Sequence, residues 1–303
     1  MDVEQVLPEL REPMKRTQAS APRWLVRAAV RVMPVPKSDA VAVTKARAGS
    51  VRLRVYTPRG ARSGAGMLWI HGGGLLFGDA KQDESLCLST AERLGMVIVS
   101  ANYRVAPEHP FPAAHDDVRQ AWTWFVDHAA RLGVDADRIA IGGESAGGGL
   151  AAGLVQRIHD DGGAQPRAQW LFAPMLDDRV AARRELDALD HFVWNNAANR
   201  EGWSGYLGGE PGAESVPAYA SPGRRTELTG LPPAFLTWTD IELFAEEDAA
   251  YADALHRAGV PVATDIVTGA VHGFENWGKD TPVAQALIER AQYWLGRALA
   301  EHA

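Results

Sequence analysis

A chain of 303 residues, 46% hydrophobic and 23% charged, can bury a sizeable core as one large domain or two smaller ones. Its net charge of −7 lacks the clustered cations that phosphate binding needs, which argues against a nucleic-acid partner. The single cysteine, Cys87, rules out an internal disulfide, and no run of 18 apolar residues offers a membrane span.

Residues 1–45 read as helical and proline-punctuated, opening on Asp2, Glu4, Glu9 and Glu12 rather than on the apolar run of a secretory leader. Within them, Trp24, Leu25, Ala28 and Val32 share one helical face and Arg23, Arg27 and Arg31 another. In an acidic chain this pattern favours packing over a cleft rather than lying on a membrane. Residues 50–58 predict the first strand and 66–71 the second. A helix near 83–94 carries Cys87 as a buried bystander thiol. A strand at 96–101, a helix near 113–131 and a strand at 138–142 follow, the last leading directly into a helix after Ser145. Further strands are expected at 168–173, 234–239 and 262–267, with helices near 246–258 and 282–300. Apolar strands alternating with amphipathic helices imply an α/β fold whose mostly parallel sheet is covered on both faces. Residues 177–230 interrupt the rhythm, with Trp194, Trp203 and Tyr206 among glycines and prolines and no clear strand. They are expected to join residues 1–45 in a cap over a body formed by 46–303. The aromatics Trp24, Trp194 and Trp203 fit the core of that cap, and alternatively its entrance.

Gly143-Glu144-Ser145-Ala146-Gly147 is a G-x-S-x-G run between a strand and a helix. A serine there occupies a strained turn, with glycines two residues either side relieving the crowding, and the helix N-terminus lends positive potential to a developing oxyanion. His71-Gly72-Gly73-Gly74 follows the strand 66–71. Consecutive glycines let backbone N–H groups face a substrate carbonyl, each such donor contributing about 3 kcal/mol to a tetrahedral intermediate.

The base paired with such a serine belongs on a loop after a late strand, which is where His272 stands. His128, His159 and His256 lie in helical stretches, His302 in the tail and His191 in the interrupted region, while His109 and His115 precede the serine. The acid should close the strand 234–239, where Asp240 and Glu242 both qualify and spacing alone does not choose.

HGGG at 71–74, the run from Tyr103 to Ala114 (YRVAPEHPFPAA), GESAGG at 143–148 and His272-Gly273-Phe274 together resemble the hormone-sensitive-lipase-like branch of the α/β-hydrolases, the bacterial capped carboxylesterases. The resemblance runs from about residue 45 to the C-terminus. It implies a Ser145–His272–acid triad acting through an acyl-enzyme, and an oxyanion hole formed by the N–H groups of Gly73, Gly74 and Ala146. It also implies short acyl chains. In that family a tyrosine follows the acid by nine residues and the histidine by thirty. Tyr251 and His272 both count back to Glu242, where the family usually carries aspartate. Asn102, Glu144 and Leu75 also depart from the family pattern. Glu144 reads as structural, and residues 106–114 as a proline-locked support for the site.

No G-x-G-x-x-G or G-x-x-x-x-G-K-[ST] marks a nucleotide site, and no H-E-x-x-H marks a metal site. His109, His115, Asp116 and Asp117 lack ligand spacing, and the two aspartates fit a solvated helix start. No metal or cofactor is therefore expected, and the expected partner is a small-molecule ester. A cytoplasmic location follows from the same reading, and a homodimer is compatible with it. Two rivals share the fold: a binding protein that has lost its triad, which intact Ser145 and His272 disfavour, and an amidase, lactonase or deacetylase using the same intermediate.

Overall fold

A computed structural model describes residues 1–17 and 23–300. In chain order, α1 (Pro8–Thr17) and α2 (Arg23–Val32) precede β1 (Val41–Ala48), β2 (Val51–Pro58) and β3 (Gly66–Ile70). Next come α3 (Glu84–Leu94), β4 (Val97–Asn102), α4 (Ala113–Leu132), β5 (Ile139–Glu144), α5 (Ala146–Asp161) and β6 (Gln169–Phe172). The interrupted region holds α6 (Asp178–Ala182) and α7 (Asn196–Leu207). The chain closes with β7 (Ala234–Thr239), α8 (Ala245–Arg257), β8 (Val262–Val267), α9 (Phe274–Trp277) and α10 (Pro282–Ala298).

The eight strands form one sheet in the order β1-β2-β4-β3-β5-β6-β7-β8. β2 runs antiparallel to both β1 and β4, and every pair from β4 to β8 is parallel. From β3 the chain moves outward to β4 and then returns to place β5 on the other side of β3. Such a reversal opens a crevice at the carboxyl ends of β3 and β5, where open α/β sheets bind ligands. Ile70 pairs with Gly143 in the β3–β5 register, so the residues following each strand emerge side by side.

Alternate residues of the central strands feed two cores, which is why those strands read as continuous apolar runs. Leu68, Ile70, Ile141 and Leu171 pack towards Phe125, Leu150 and Leu154 of α4 and α5. Met67, Trp69, Ile98, Trp170 and Phe172 pack towards Leu88 of α3, Phe274 of α9 and Leu287 of α10. Trp69, Trp170 and Phe172 meet edge-on, with centroids 4.6 to 6.0 Å apart, directly beneath the strand ends.

Two expectations need correction. The sheet begins at Val41, inside the stretch read as helical, so residues 41–45 belong to the sheet. β1 is an edge strand with Thr44 and Lys45 exposed and only its ends buried, and it therefore carries no core-facing alternation. In α2, Leu25, Ala28 and Val32 are exposed, whereas Val26, Arg27 and Val30 are half-buried. Arg27 decides that orientation: its guanidinium donates to the carbonyls of Leu76 (2.8 Å) and Ala106 (2.7 Å) and pairs with Glu108 (2.7 Å). The side chains of Arg23, Trp24 and Arg31 lie outside the described part of the structure.

Trp170→Ala should destabilise the fold by about 3–5 kcal/mol in a denaturant titration, because a fully buried indole leaves a cavity that its aromatic neighbours cannot collapse into.

Candidate active site

Ser145 occupies the turn between β5 and α5 with φ 55° and ψ −123°, a conformation that costs a non-glycine residue of the order of 1–3 kcal/mol. The turn is possible because its flanks are bare. A Cβ on Gly143 would stand 2.3 Å from the Gly147 carbonyl oxygen, and one on Gly147 would stand 2.1 Å from that of Ile70. Neighbouring backbone holds the turn in place: the Ser145 N–H donates to Phe172 at 2.8 Å, and its carbonyl accepts from Met175 at 2.9 Å.

His272 lies on the loop after β8 and joins the serine to an acid. Its Nε2 is 2.8 Å from Ser145 Oγ and its Nδ1 is 2.5 Å from Glu242 Oε2. The other Glu242 oxygen accepts the Thr239 N–H at 2.6 Å, so both oxygens of this buried carboxylate are engaged. Asp240 is exposed and accepts the N–H of Gly269 at 2.8 Å, fastening the loop that carries His272 without touching the imidazole. Of the two acids left open by spacing, Glu242 is thus the one bonded to the histidine.

Alongside runs the glycine loop after β3. A Cβ on Gly72 would lie 3.4 Å from Ser145 Cβ. Gly73 and Gly74 take φ values of 117° and 58°, and among the described residues the N–H groups of Gly73, Gly74 and Ala146 donate to no protein acceptor. His71 and Tyr103 brace this loop. Their rings stack with centroids 4.3 Å apart, and Tyr103 donates its hydroxyl to the His71 carbonyl at 2.9 Å. Burial pulls the His71 imidazole down to about 4, so it stays neutral, with Nδ1–H donating to the Gly72 carbonyl at 2.8 Å.

The residue-67 to residue-276 stretch matches a family described by the α/β-hydrolase fold. Esterase LipI of Mycobacterium tuberculosis is 34% identical over 249 residues, covering 80% of this chain and 77% of its own. An ethyl acetate hydrolase of Pseudomonas putida is 32% identical over 242 residues, covering 75% and 72%. Among solved structures, a bacterial heroin esterase superposes with a TM-score of 0.89 at 32% identity, covering 99% of both chains. The chain belongs to the hormone-sensitive-lipase-like α/β-hydrolases. Like its named esterase relatives, this α/β-hydrolase is a carboxylic ester hydrolase.

Two of the positions at which this α/β-hydrolase departs from its family have a local use. Asn102 accepts the N–H of Ala80 at 2.8 Å. Glu144 points away from the serine and accepts from Asn276 Nδ2 at 3.1 Å, in keeping with a structural role. Asn276 also reaches Asp83, which accepts the Trp69 indole N–H at 2.7 Å. Asp117 corrects the expectation of a solvated helix start. It is buried, and it receives Arg104 through paired hydrogen bonds and the Arg104 backbone N–H at 2.8 Å. Asp116 is exposed, as expected, and pairs with Arg157 at 2.7 Å. The loop at 106–114 contains two cis prolyl bonds, before Pro107 and Pro112, and Cys87 is buried on α3.

Several supporting residues went unread in the sequence. Trp277 donates its indole N–H to the His272 carbonyl at 2.9 Å, and Phe244 meets the imidazole edge-on at 5.2 Å. Their only signal was proximity, five residues after the histidine and two after the acid. Behind the imidazole, Asp83, Glu144 and Glu275 form a cluster of buried carboxyl groups. Burial raises Asp83 to about 6 against the hydrogen bonds it accepts from Trp69 and Asn276. Burial, assisted by acidic neighbours, raises Glu275 to about 7 and carries Glu144 well above the carboxylate range.

Gly147→Ala should destabilise by more than about 3 kcal/mol and abolish esterase activity, because its new methyl meets backbone oxygen rather than a movable side chain. The carboxyl cluster predicts a pH effect on stability. A carboxyl group whose folded pKa is raised contributes stability that is complete below its unfolded value and lost as pH rises through the folded one. For Glu275 that window runs from about 4.5 to about 7. Glu275→Gln should therefore raise the melting temperature at pH 8 relative to the parent more than it does at pH 4.

Proposed function

We propose that this esterase cleaves short-acyl carboxylic esters through a covalent acyl-enzyme, with Ser145 as nucleophile, His272 as general base and then acid, and Glu242 as the carboxylate that orients and balances the imidazole. The observation that supports this reading is the unbroken hydrogen-bonded chain from Glu242 through His272 to Ser145, beside backbone donors with no protein acceptor.

His272 Nε2 takes the Ser145 proton as Oγ attacks the ester carbonyl carbon. Glu242 fixes the tautomer that leaves Nε2 free to accept, and it stabilises the imidazolium that forms. The carbonyl oxygen becomes an oxyanion on the N–H groups of Gly73, Gly74 and Ala146, which are already oriented and need no reorganisation. Collapse of the intermediate breaks the bond to the alkoxy oxygen, which receives the proton from imidazolium and departs as the alcohol. Water then repeats the sequence on the acyl-enzyme, releasing the carboxylic acid and restoring Ser145.

A cap built from the N-terminal helices and residues 177–230 fits this reading. Arg27 fastens α2 to the loops that carry Leu76 and Ala106, and the Trp194 ring covers Gly74. A site roofed so closely favours small acyl groups, and the ethyl acetate hydrolase named above acts on one.

Ser145→Ala should lower kcat by at least about 10³-fold against p-nitrophenyl acetate and abolish fluorophosphonate labelling; normal turnover would overturn the scheme. Glu242→Ala should reduce kcat far more than Asp240→Ala, and the reverse order in steady-state kinetics would reassign the acid. Across p-nitrophenyl esters from acetate to laurate, kcat/KM should peak at four carbons or fewer.

A further inference from the structure

One side of α7, the helix whose Gly202 adjoins the glycine loop, carries polar atoms that the fold leaves unsatisfied. Asn199, Trp203 and Tyr206 follow one another at spacings of four and three residues, which places them on one side of the helix. With Trp194 just before the helix, all four are at most 9% exposed. Among the described residues, neither amide atom of Asn199 has a hydrogen-bond partner, nor do the indole nitrogens of Trp194 and Trp203 or the hydroxyl of Tyr206. Buried polar groups are ordinarily paired, and four left open on one face call for a common explanation.

Their position supplies one. The Trp194 ring lies so close over Gly74 that a Cβ there would stand 2.0 Å from it, and a Cβ on Gly202 would stand 2.7 Å from the Gly74 carbonyl oxygen. Trp203 and Tyr206 follow on the same helix, with ring centroids 6.0 Å apart. Trp194 thus joins the cluster to the loop whose N–H groups face the nucleophile, and Tyr206, at the other end, packs edge-on against Phe111 at 5.7 Å. Trp194 is also held under strain. Its N–H donates to the Phe192 carbonyl at 2.8 Å across Val193, a β-branched residue at φ 66°, a turn conformation adopted at a cost and concentrated at ligand sites.

We propose that Trp194, Asn199, Trp203 and Tyr206 form a polar subsite for the acyl chain, selecting acyl groups that carry a neutral oxygen acceptor, such as alkoxyacyl or hydroxyacyl groups. The subsite rests on the Ser145 hydrolase reading. The acyl side follows from the chemistry, because the alkoxy oxygen must face His272 to receive its proton while the cluster adjoins Gly74. The acceptor follows from the donors, two indole N–H groups, a phenol and a carboxamide. The four side chains carry no charge to balance an ion, hence a neutral group.

The test compares p-nitrophenyl methoxyacetate with p-nitrophenyl butyrate, two esters of nearly equal shape. In the parent protein the methoxyacetate-to-butyrate ratio of kcat/KM should exceed the ratio for alkaline hydrolysis by at least about 10-fold, since a site built to pair a substrate oxygen rejects the analogue lacking it. Asn199→Leu and, separately, Trp203→Phe should each lower that enzymatic ratio several-fold, with thermal melts run alongside. A parent ratio equal to the alkaline one would overturn the subsite, as would folded variants that slow both esters by the same factor. Failure of the hydrolase reading looks different: Ser145→Ala protein would retain turnover of both esters.

Discussion

Everything at this site depends on a backbone conformation that Ser145 would not choose for itself. At φ 55° and ψ −123° the residue lifts its hydroxyl clear of the strand that precedes it and the helix that follows. Local sequence cannot supply that stability. It comes from the Phe172 carbonyl, the Met175 N–H and the close approach of Ile70 to Gly147, contributions from three separate segments. The strain is thus a debt of the turn settled by the sheet, and substitutions that loosen β3 or β6 should be felt at the serine first.

The topology gives that turn its neighbours. Because β3 and β5 pair in register, the glycine loop and the serine turn leave the sheet together, and the β7 and β8 loops deliver Glu242 and His272 to the same edge. The rings of His71 and Tyr103 and the indole of Trp277 then limit how the glycine and histidine loops can move. Preorganisation here is a property of paired strands and stacked rings, and each element has a separate chemical part to orient.

Much of this was legible in the sequence where geometry is dictated by a short run of residues. The serine turn, the glycine loop and the alternating strands announce themselves through glycine placement and apolar runs. The acid that contacts the imidazole was reached only through the family resemblance, whose spacing runs from Tyr251 and His272 back to Glu242. Features set by tertiary contact stayed hidden. β1 is an exposed edge with no alternation to read, and Asp117 looked solvated until Arg104 closed over it. The amphipathic pattern of α2 pointed its apolar face inward, yet the hydrogen bonds of one guanidinium turn Leu25 and Val32 outward. Apolar periodicity predicts how a helix faces only when burying that stripe is the larger gain, and on the short α2 it was not.

The same guanidinium has an evolutionary consequence. Two of the groups that Arg27 grips, at Leu76 and Ala106, are main-chain oxygens, present whatever side chains those positions carry. Amino-acid replacements at those two positions can therefore change the neighbouring surface while the attachment of α2 persists. Such a clasp lets a lineage exchange the side chains around it without first inventing a new way to dock this helix.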